Sequence, residues 1–148
     1  MNKKIFLVLA ILWMGFIFYL SNQPADISSD QSGELIKMLS NLPIIGNVID
    51  YMMKIDIAQF IVRKSAHMFA YFLLFILMFM YAYKNNKGVK KSYFIGFIST
   101  LLYACTDEIH QLFIEGRSGE IRDILVDSTG ALIGMVLVSI ILKIKKRV

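Results

Sequence analysis

The chain has 148 residues, is 57% hydrophobic and carries a formal net charge of +5, with a mean hydropathy of +0.61. That length suits one domain over residues 1–148, and the apolarity excludes an ordinary soluble globular domain. The single cysteine, Cys105, excludes an intrachain disulfide. The expectation is an all-α integral membrane protein whose first partner is the lipid bilayer, with no nucleic-acid partner and no cofactor.

In chain order, Lys3 and Lys4 precede an apolar run from Ile5 to Leu20. The run is rich in aromatic residues and no small-x-small cleavage site follows, so it reads as a membrane span over about residues 4–23 rather than a signal peptide. Pro24 is expected to stop that helix. Residues 25–58 are mixed. Asp30 is a candidate N-cap with Glu34 in the first turn, and Asn41-Leu42-Pro43 breaks the helix. Ile45, Val48, Ile49, Met52 and Met53 then recur at helical spacing. One or two short amphipathic helices are expected there, either on the membrane surface or packed on the end of the bundle.

Three further spans are expected over about 58–83, 92–113 and 122–142, joined by a basic turn (Lys84 to Lys91) and a Gly-containing turn (Glu115 to Glu120). Lys3, Lys4, the four lysines of the 84–91 turn, and Lys143, Lys145, Lys146 and Arg147 fall on one side of the membrane. All eleven acidic residues, Asp56 included, fall on the other. Basic residues stay inside, which puts both termini in the cytoplasm. Counting about 20 residues from the inner ends of the spans puts Lys64, Gln111 and Asp123 at the outer boundary. His67, Asp107 and Asp127 lie about one turn deeper, and Ser21 to Gln23 reach the same level. Four spans therefore bring polar residues to one plane.

The densest polar stretch is Thr106 to Gly134. On the third span Asp107, His110 and Gln111 share a face, with Glu108 about 100° away. On the fourth, Asp123 and Asp127 share a face with Gly130 and Gly134, glycines that let a neighbouring helix approach closely. On the second, Lys64, His67 and Tyr71 align. Ionisable groups at such depth are costly and mark either a packed polar joint or a functional site. Three readings follow: a joint in which Arg63, Lys64, Arg117 and Arg122 neutralise the aspartates; a binding site for an anionic or lipid-linked headgroup; and a catalytic site. For catalysis, His67 or His110 is the candidate general base, with Asp107 orienting it and Glu108 nearby. For binding, the candidates are Gln23, Lys64, Tyr71, Gln111, Arg117, Arg122, Asp123 and Asp127. Two imidazoles and several carboxylates can ligate a divalent metal, but no HExxH or paired-cysteine motif is present. The nearby basic groups and the start of the fourth span instead suit an anion such as phosphate. An anionic headgroup and no bound metal are expected.

The combination Asp107-Glu108-Ile109-His110-Gln111, Gly116-Arg117, and Arg122-Asp123-Ile124-Leu125-Val126-Asp127 with Gly130 resembles the signature of the VanZ-like family. Lys64-Ser65-Ala66-His67 with Tyr71 resembles its K-x-x-H-x-x-x-Y element, and Ser21-Asn22-Gln23 the S-x-Q after its first helix. The resemblance covers about residues 5–142. Asn22 stands where a second serine is common, Ala70 where glutamate is frequent and Phe75 where glycine is frequent. The alanine leaves no carboxylate beside His67 on its own helix. The resemblance implies a small four-helix cell-membrane protein. It also implies a link to the cell envelope, since the family's namesake is tied to resistance to teicoplanin, which acts on wall precursors outside the membrane. Candidate ligands are then a lipid-linked wall precursor, a phospholipid headgroup or the lipid-tailed antibiotic. The alternatives are a membrane-embedded hydrolase or transferase acting on a lipid-linked substrate, and a structural partner of another membrane protein.

Overall fold

The computed structural model describes residues 3–43, 45–54 and 57–145. Asp56, Lys146 and Arg147, which enter the charge pattern, lie outside the described residues. Among the described residues there are six α-helices and no strand: α1 (Lys3–Ser21), α2 (Ala25–Ser40), α3 (Gly46–Lys54), α4 (Ala58–Lys84), α5 (Val89–Gln111) and α6 (Ile121–Lys145). Three of them, α1, α4 and α6, are long and apolar enough to cross a membrane. α5 matches them in length, at 23 residues, but its charged last turn and the lysines of its first turn lower its average apolarity.

Large apolar side chains stand exposed along the outer faces of the long helices, among them Leu12, Phe69, Phe94, Leu102 and Val136. A soluble monomer does not leave so much contiguous apolar surface in water. Lipid is the solvent that fits it, and the protein is a membrane protein.

α4 is the hub. It packs most heavily against α6 and α5 and then against α1, while α2 and α3 cover its first turns. In its C-terminal half, Phe75 and Phe79 pack against Tyr93 of α5, centroids 6.5 and 4.8 Å away, and on Ala131 and Val138 of α6. Nearer the polar end, Tyr71 and Leu74 meet Ile17 of α1 and Ala104 of α5. Two hydrogen bonds fasten α1: Trp13 Nε1 donates to the Ala70 carbonyl at 2.8 Å, and Tyr103 Oη donates to the Met14 carbonyl at 2.6 Å. In a low-dielectric surrounding such bonds have no water to compete with them.

The polar end differs from expectation in its caps. α1 ends at Ser21, before Pro24 is reached, and Pro24 instead heads α2, with φ −51° and Ala25 as the first helical residue. Proline lacks the N–H that a helix start leaves unpaired, and its fixed φ is preorganised for that position. α2 therefore begins five residues ahead of Asp30, which lies inside the helix rather than at its cap. The break at Asn41 to Pro43 is where expected. α2 and α3 pack on one another and on α4 through Ile36, Ile49, Ala58 and Val62, yet leave Met38, Val48 and Tyr51 exposed. The expectation of a segment packed on the bundle end holds, through one apolar stripe, while a second apolar stripe faces outward.

The tightest contact in the bundle is α6 on α4. A Cβ at Gly130 would stand 2.0 Å from the Met68 carbonyl oxygen and 3.1 Å from the Phe72 nitrogen, and one at Gly134 would stand 2.8 Å from the Phe75 ring. Backbone cannot move aside as a side-chain tip can, so the helices touch there only because residue 130 has no side chain. Gly15, by contrast, has open space around it. Gly130→Ala should lower stability by about 1–3 kcal/mol, the usual cost of forced overpacking, while Gly15→Ala should leave it unchanged or higher. Thermal unfolding of the two variants in detergent checks this, and equal melting temperatures would sink the close-packing account.

Candidate functional site

The close approach of α6 fixes what lies one turn up the same face. Asp127, three residues before Gly130, is fully buried against α4, and its Oδ1 is 3.5 Å from His67 Nδ1. Neither Asp127 oxygen accepts a hydrogen bond among the described residues. A carboxylate in such a place needs a cationic or proton-bearing neighbour, and His67 is the side chain placed to be one. The carboxylate that α4 lacks at Ala70 is thus supplied to His67 from another helix. One turn further out, Lys64 of α4 pairs with Asp123 of α6, so two contacts between a basic and an acidic side chain, three residues apart on α4 and four apart on α6, run along one seam.

On the other side of α4, Asp107 of α5 is buried and accepts hydrogen bonds from Ser21 Oγ at the end of α1 (2.9 Å) and from Gln111 Nε2 one turn along its own helix (3.2 Å). The buried Tyr71 hydroxyl lies on the same side, beside this carboxylate. Glu108 does not join this group. It is buried toward the α5–α6 loop, where its Oε2 accepts the Glu120 backbone N–H at 3.0 Å. His110 is turned toward α1: its Nε2 is 3.1 Å from Asn22 Oδ1 and its ring packs on Phe18, centroids 4.6 Å apart.

Arg117 is the tie between these parts. From the loop it donates to the Gln23 carbonyl (2.9 Å), to the Leu20 carbonyl (3.3 Å) and to Gln111 Oε1 (3.5 Å). One fork of donors thereby holds the α1–α2 elbow, α5 and the loop together, and the neighbouring Ala25 N–H reinforces the join by donating to the Glu115 carbonyl at 3.2 Å. Burial, and Arg63 beside it, push the Arg117 pKa down, while Asp107 and Glu108 pull it back up. Guanidinium holds its proton under any such balance at neutral pH.

These elements enclose a hollow of about 190 Å³ between the first turns of α4, the α5–α6 loop and the start of α6. Its lining includes Arg63, Lys64, His67, Gln111, Arg117, Arg122, Glu120 and Asp123. Phe60, one turn before Lys64, forms an aromatic edge, with the Lys64 ammonium 5.5 Å and the Arg122 guanidinium 5.7 Å from its centroid. The two carboxylates of the lining are both engaged, Asp123 by Lys64 and Glu120 by Arg122 at 3.0 Å. The hydrogen bonds of Arg117 go to neutral oxygens, and Arg63 has no acidic partner among the described residues.

Of the catalytic candidates, then, the structure sets His67 at the hollow and Asp107 behind it, with Glu108 and His110 on separate faces. Of the binding candidates, Lys64, Gln111, Arg117, Arg122 and Asp123 reach the hollow directly. Asp127 supports His67, Tyr71 lies deeper, and Gln23 contributes its backbone carbonyl to Arg117. Among the described residues no three His, Cys, Asp or Glu side chains meet in the geometry of a metal site. Three participants are absent from the catalytic and binding candidates read from the sequence. Arg63 figures there only as a neutralising partner in the joint reading, and Ser21 only as the first residue of the S-x-Q element, so each carried a signal. Phe60 had none, since an aromatic residue at the start of an apolar helix is unremarkable.

A sequence model of the VanZ/LLP1 family matches residues 6–142. The chain belongs to the VanZ/LLP1 family. The match spans every element that builds the hollow, from the end of α1 to α6. No curated protein and no solved structure matches the VanZ/LLP1 chain.

The Arg117 contacts generate a test. Hydrogen bonds from a charged donor contribute about 1.5–3 kcal/mol each when buried, so Arg117→Ala should cost about 2 kcal/mol or more. Arg117→Lys should recover less than half of that loss, because an ammonium cannot reach three divergent acceptors at once. Denaturant unfolding of both variants in mild detergent provides the measurement; full recovery by lysine would show that only the charge matters.

Proposed function

We propose that this VanZ/LLP1 protein is a four-span membrane protein with both termini in the cytoplasm, whose basic hollow opens at the outer leaflet and binds the anionic headgroup of an envelope lipid or lipid-linked wall precursor. α5 is the fourth span. Its length corresponds to about 34 Å of helix, and the acidic residues that lower its apolarity, Asp107 and Glu108, are buried in the protein rather than turned to lipid. The clustering of Lys3, Lys4, Lys84, Lys87, Lys90, Lys91, Lys143 and Lys145 at the opposite end supports the orientation.

The observation that carries the binding reading is the charge balance of the hollow. In a purely structural joint each cation would have its own carboxylate. Here Lys64 and Arg122 take the two that line the hollow, and among the described residues the guanidinium groups of Arg63 and Arg117 have no ion-pair contact. Two such groups facing one cavity repel each other, and an anion between them relieves that repulsion. Arginine is suited to phosphate because its planar fork matches two phosphate oxygens. A role in glycopeptide resistance, to which the family's namesake is linked, follows if the bound lipid is a wall precursor.

The contact of His67 with Asp127 supports a second reading, a hydrolase or transferase acting on the same lipid-linked ligand. Asp127 at Nδ1 would orient the ring, leaving the other nitrogen to take a proton from an attacking hydroxyl. Phosphate release by wild type and none by a folded His67→Gln variant would favour catalysis; binding retained by both with no turnover would leave binding alone.

Two expected outcomes follow. A cysteine replacing Asn86, in a Cys105→Ser background, should resist a membrane-impermeant thiol reagent on intact cells, while one replacing Ser118 should react; labelling at position 86 overturns the orientation. Native mass spectrometry of the detergent-purified protein should retain phosphatidylglycerol in preference to phosphatidylcholine. Arg63→Gln should weaken that retention about tenfold, the loss of a little over one kcal/mol of binding, and equal retention of the two lipids by wild type would count against the anion site.

A further inference from the structure

His67 stands where three hollows meet. It lines the basic hollow, a second one of about 160 Å³ beneath α2, and a small crevice of about 60 Å³ between α1 and α4. The crevice is walled by Ile17 and Leu20 of α1 and by Ala66, Ala70 and Tyr71 of α4. The second hollow lies between the other two, since it shares Arg63 and Arg117 with the basic one and Leu20 and Ala66 with the crevice. Polarity changes sharply across this seam. On one side are guanidinium and ammonium groups; on the other, within a turn of helix, the walls are hydrocarbon apart from His67 itself.

The crevice exists because two small residues of the α4 face leave space beside α1. Ala66 and Ala70 present only methyl groups there. Below them Trp13 closes the gap by donating to the Ala70 carbonyl. The crevice lies in the helix region whose outer faces are apolar, with Phe16 and Phe69 exposed near it. A soluble anion would fill the basic hollow and leave this groove empty. A hydrocarbon chain alone would gain nothing from Arg63 and Arg117.

Resting on the anion-binding reading above, we infer that the ligand is a membrane lipid phosphate whose anionic group sits between Arg63 and Arg117 and whose first chain segment lies in the α1–α4 crevice, with His67 at the join. Such a lipid enters sideways from the bilayer without leaving it. Its phosphate displaces no carboxylate, because Asp123 and Glu120 are already engaged. The bonds that link headgroup to chain fall at the level of His67. The recognition is thus for an amphiphile with charge and chain a few bonds apart, rather than for either part alone.

The test uses the full chain in phosphatidylcholine vesicles, doped with phosphatidylglycerol that carries a photoreactive diazirine near the carboxyl end of one acyl chain. Illumination should label Ile17, Leu20, Ala66 or Ala70, and glycerol 1-phosphate in excess should reduce that label. Ala66→Phe, which fills the crevice from an exposed position, should lower the label about tenfold while glycerol 1-phosphate still binds. Leu20→Trp, from the opposite wall, guards against a folding defect in the first variant, and both should melt as wild type does. Label spread over the outward residues Leu102 and Val136, still competed by glycerol 1-phosphate, overturns the crevice and leaves the anion site standing. Label that glycerol 1-phosphate does not reduce overturns both. Free glycerol 1-phosphate bound as tightly as the lipid also overturns the inference, since the chain would then contribute nothing.

Discussion

The contact of α6 with α4 at Gly130 is the constraint on which the polar end depends. Because backbone meets backbone there, the register of the two helices is set to within a fraction of a turn. Asp127 must then face His67, and Asp123 must face Lys64. Helix association in lipid has no hydrophobic drive, so it rests on close packing and on polar contacts that have no better partner elsewhere. Gly130 and Gly134 supply the first, and the two cation–acid contacts supply the second. Either alone would leave α6 free to rotate.

Given that seam, the remaining polar residues divide by function. Asp107 is chiefly structural and Arg117 has a structural part beside its place in the hollow: the carboxylate gathers Ser21 and Gln111, and the guanidinium gathers the α1–α2 elbow. Glu108 does the same for the α5–α6 loop by accepting the Glu120 N–H. These contacts hold open a hollow rather than filling it. The joint and the binding site are therefore not rival descriptions of one cluster. The joint is the scaffold, built of the Lys64–Asp123 pair and the contacts of Asp107, Glu108 and Arg117, and the site is the hollow they frame, where Arg63 has no acidic partner among the described residues. Side chains held in place by such contacts are how binding sites keep their geometry without ligand.

The seam also explains why His67, and not His110, is the histidine of consequence in this geometry. Only His110 has an aspartate near it in sequence, and the helical wheel of α5 places it beside Asp107. In space His110 turns to Asn22 and Phe18 at the edge of α1, while His67 gains a buried carboxylate from a helix sixty residues away in the chain. The wheel describes faces of one helix. It carries no information on which neighbour a face meets.

Much of this was legible in the sequence because the bilayer imposes simple rules. Apolar runs of about 20 residues between basic turns locate the long helices, and counting depth from the basic end predicts that Lys64, His67, Asp107, Gln111, Asp123 and Asp127 share a level, as their contacts bear out. Glycines four apart on the aspartate face of α6 point to the packed side, since only there is a missing side chain useful. Local caps were less legible: Asp30 and Pro24 obey propensities that the elbow to Arg117 and Glu115 reassigns. Pairing was not legible at all. That Asp127 serves His67, that Glu108 serves a loop N–H, and that Arg63 has no carboxylate partner among the described residues all depend on how four helices rotate against one another. The sequence by itself determined how far along its helix each polar group stands, because that position is counted along a single helix. Only the tertiary structure decided their partners, because a partner is set by the angle between helices, and that angle is fixed by close packing at Gly130.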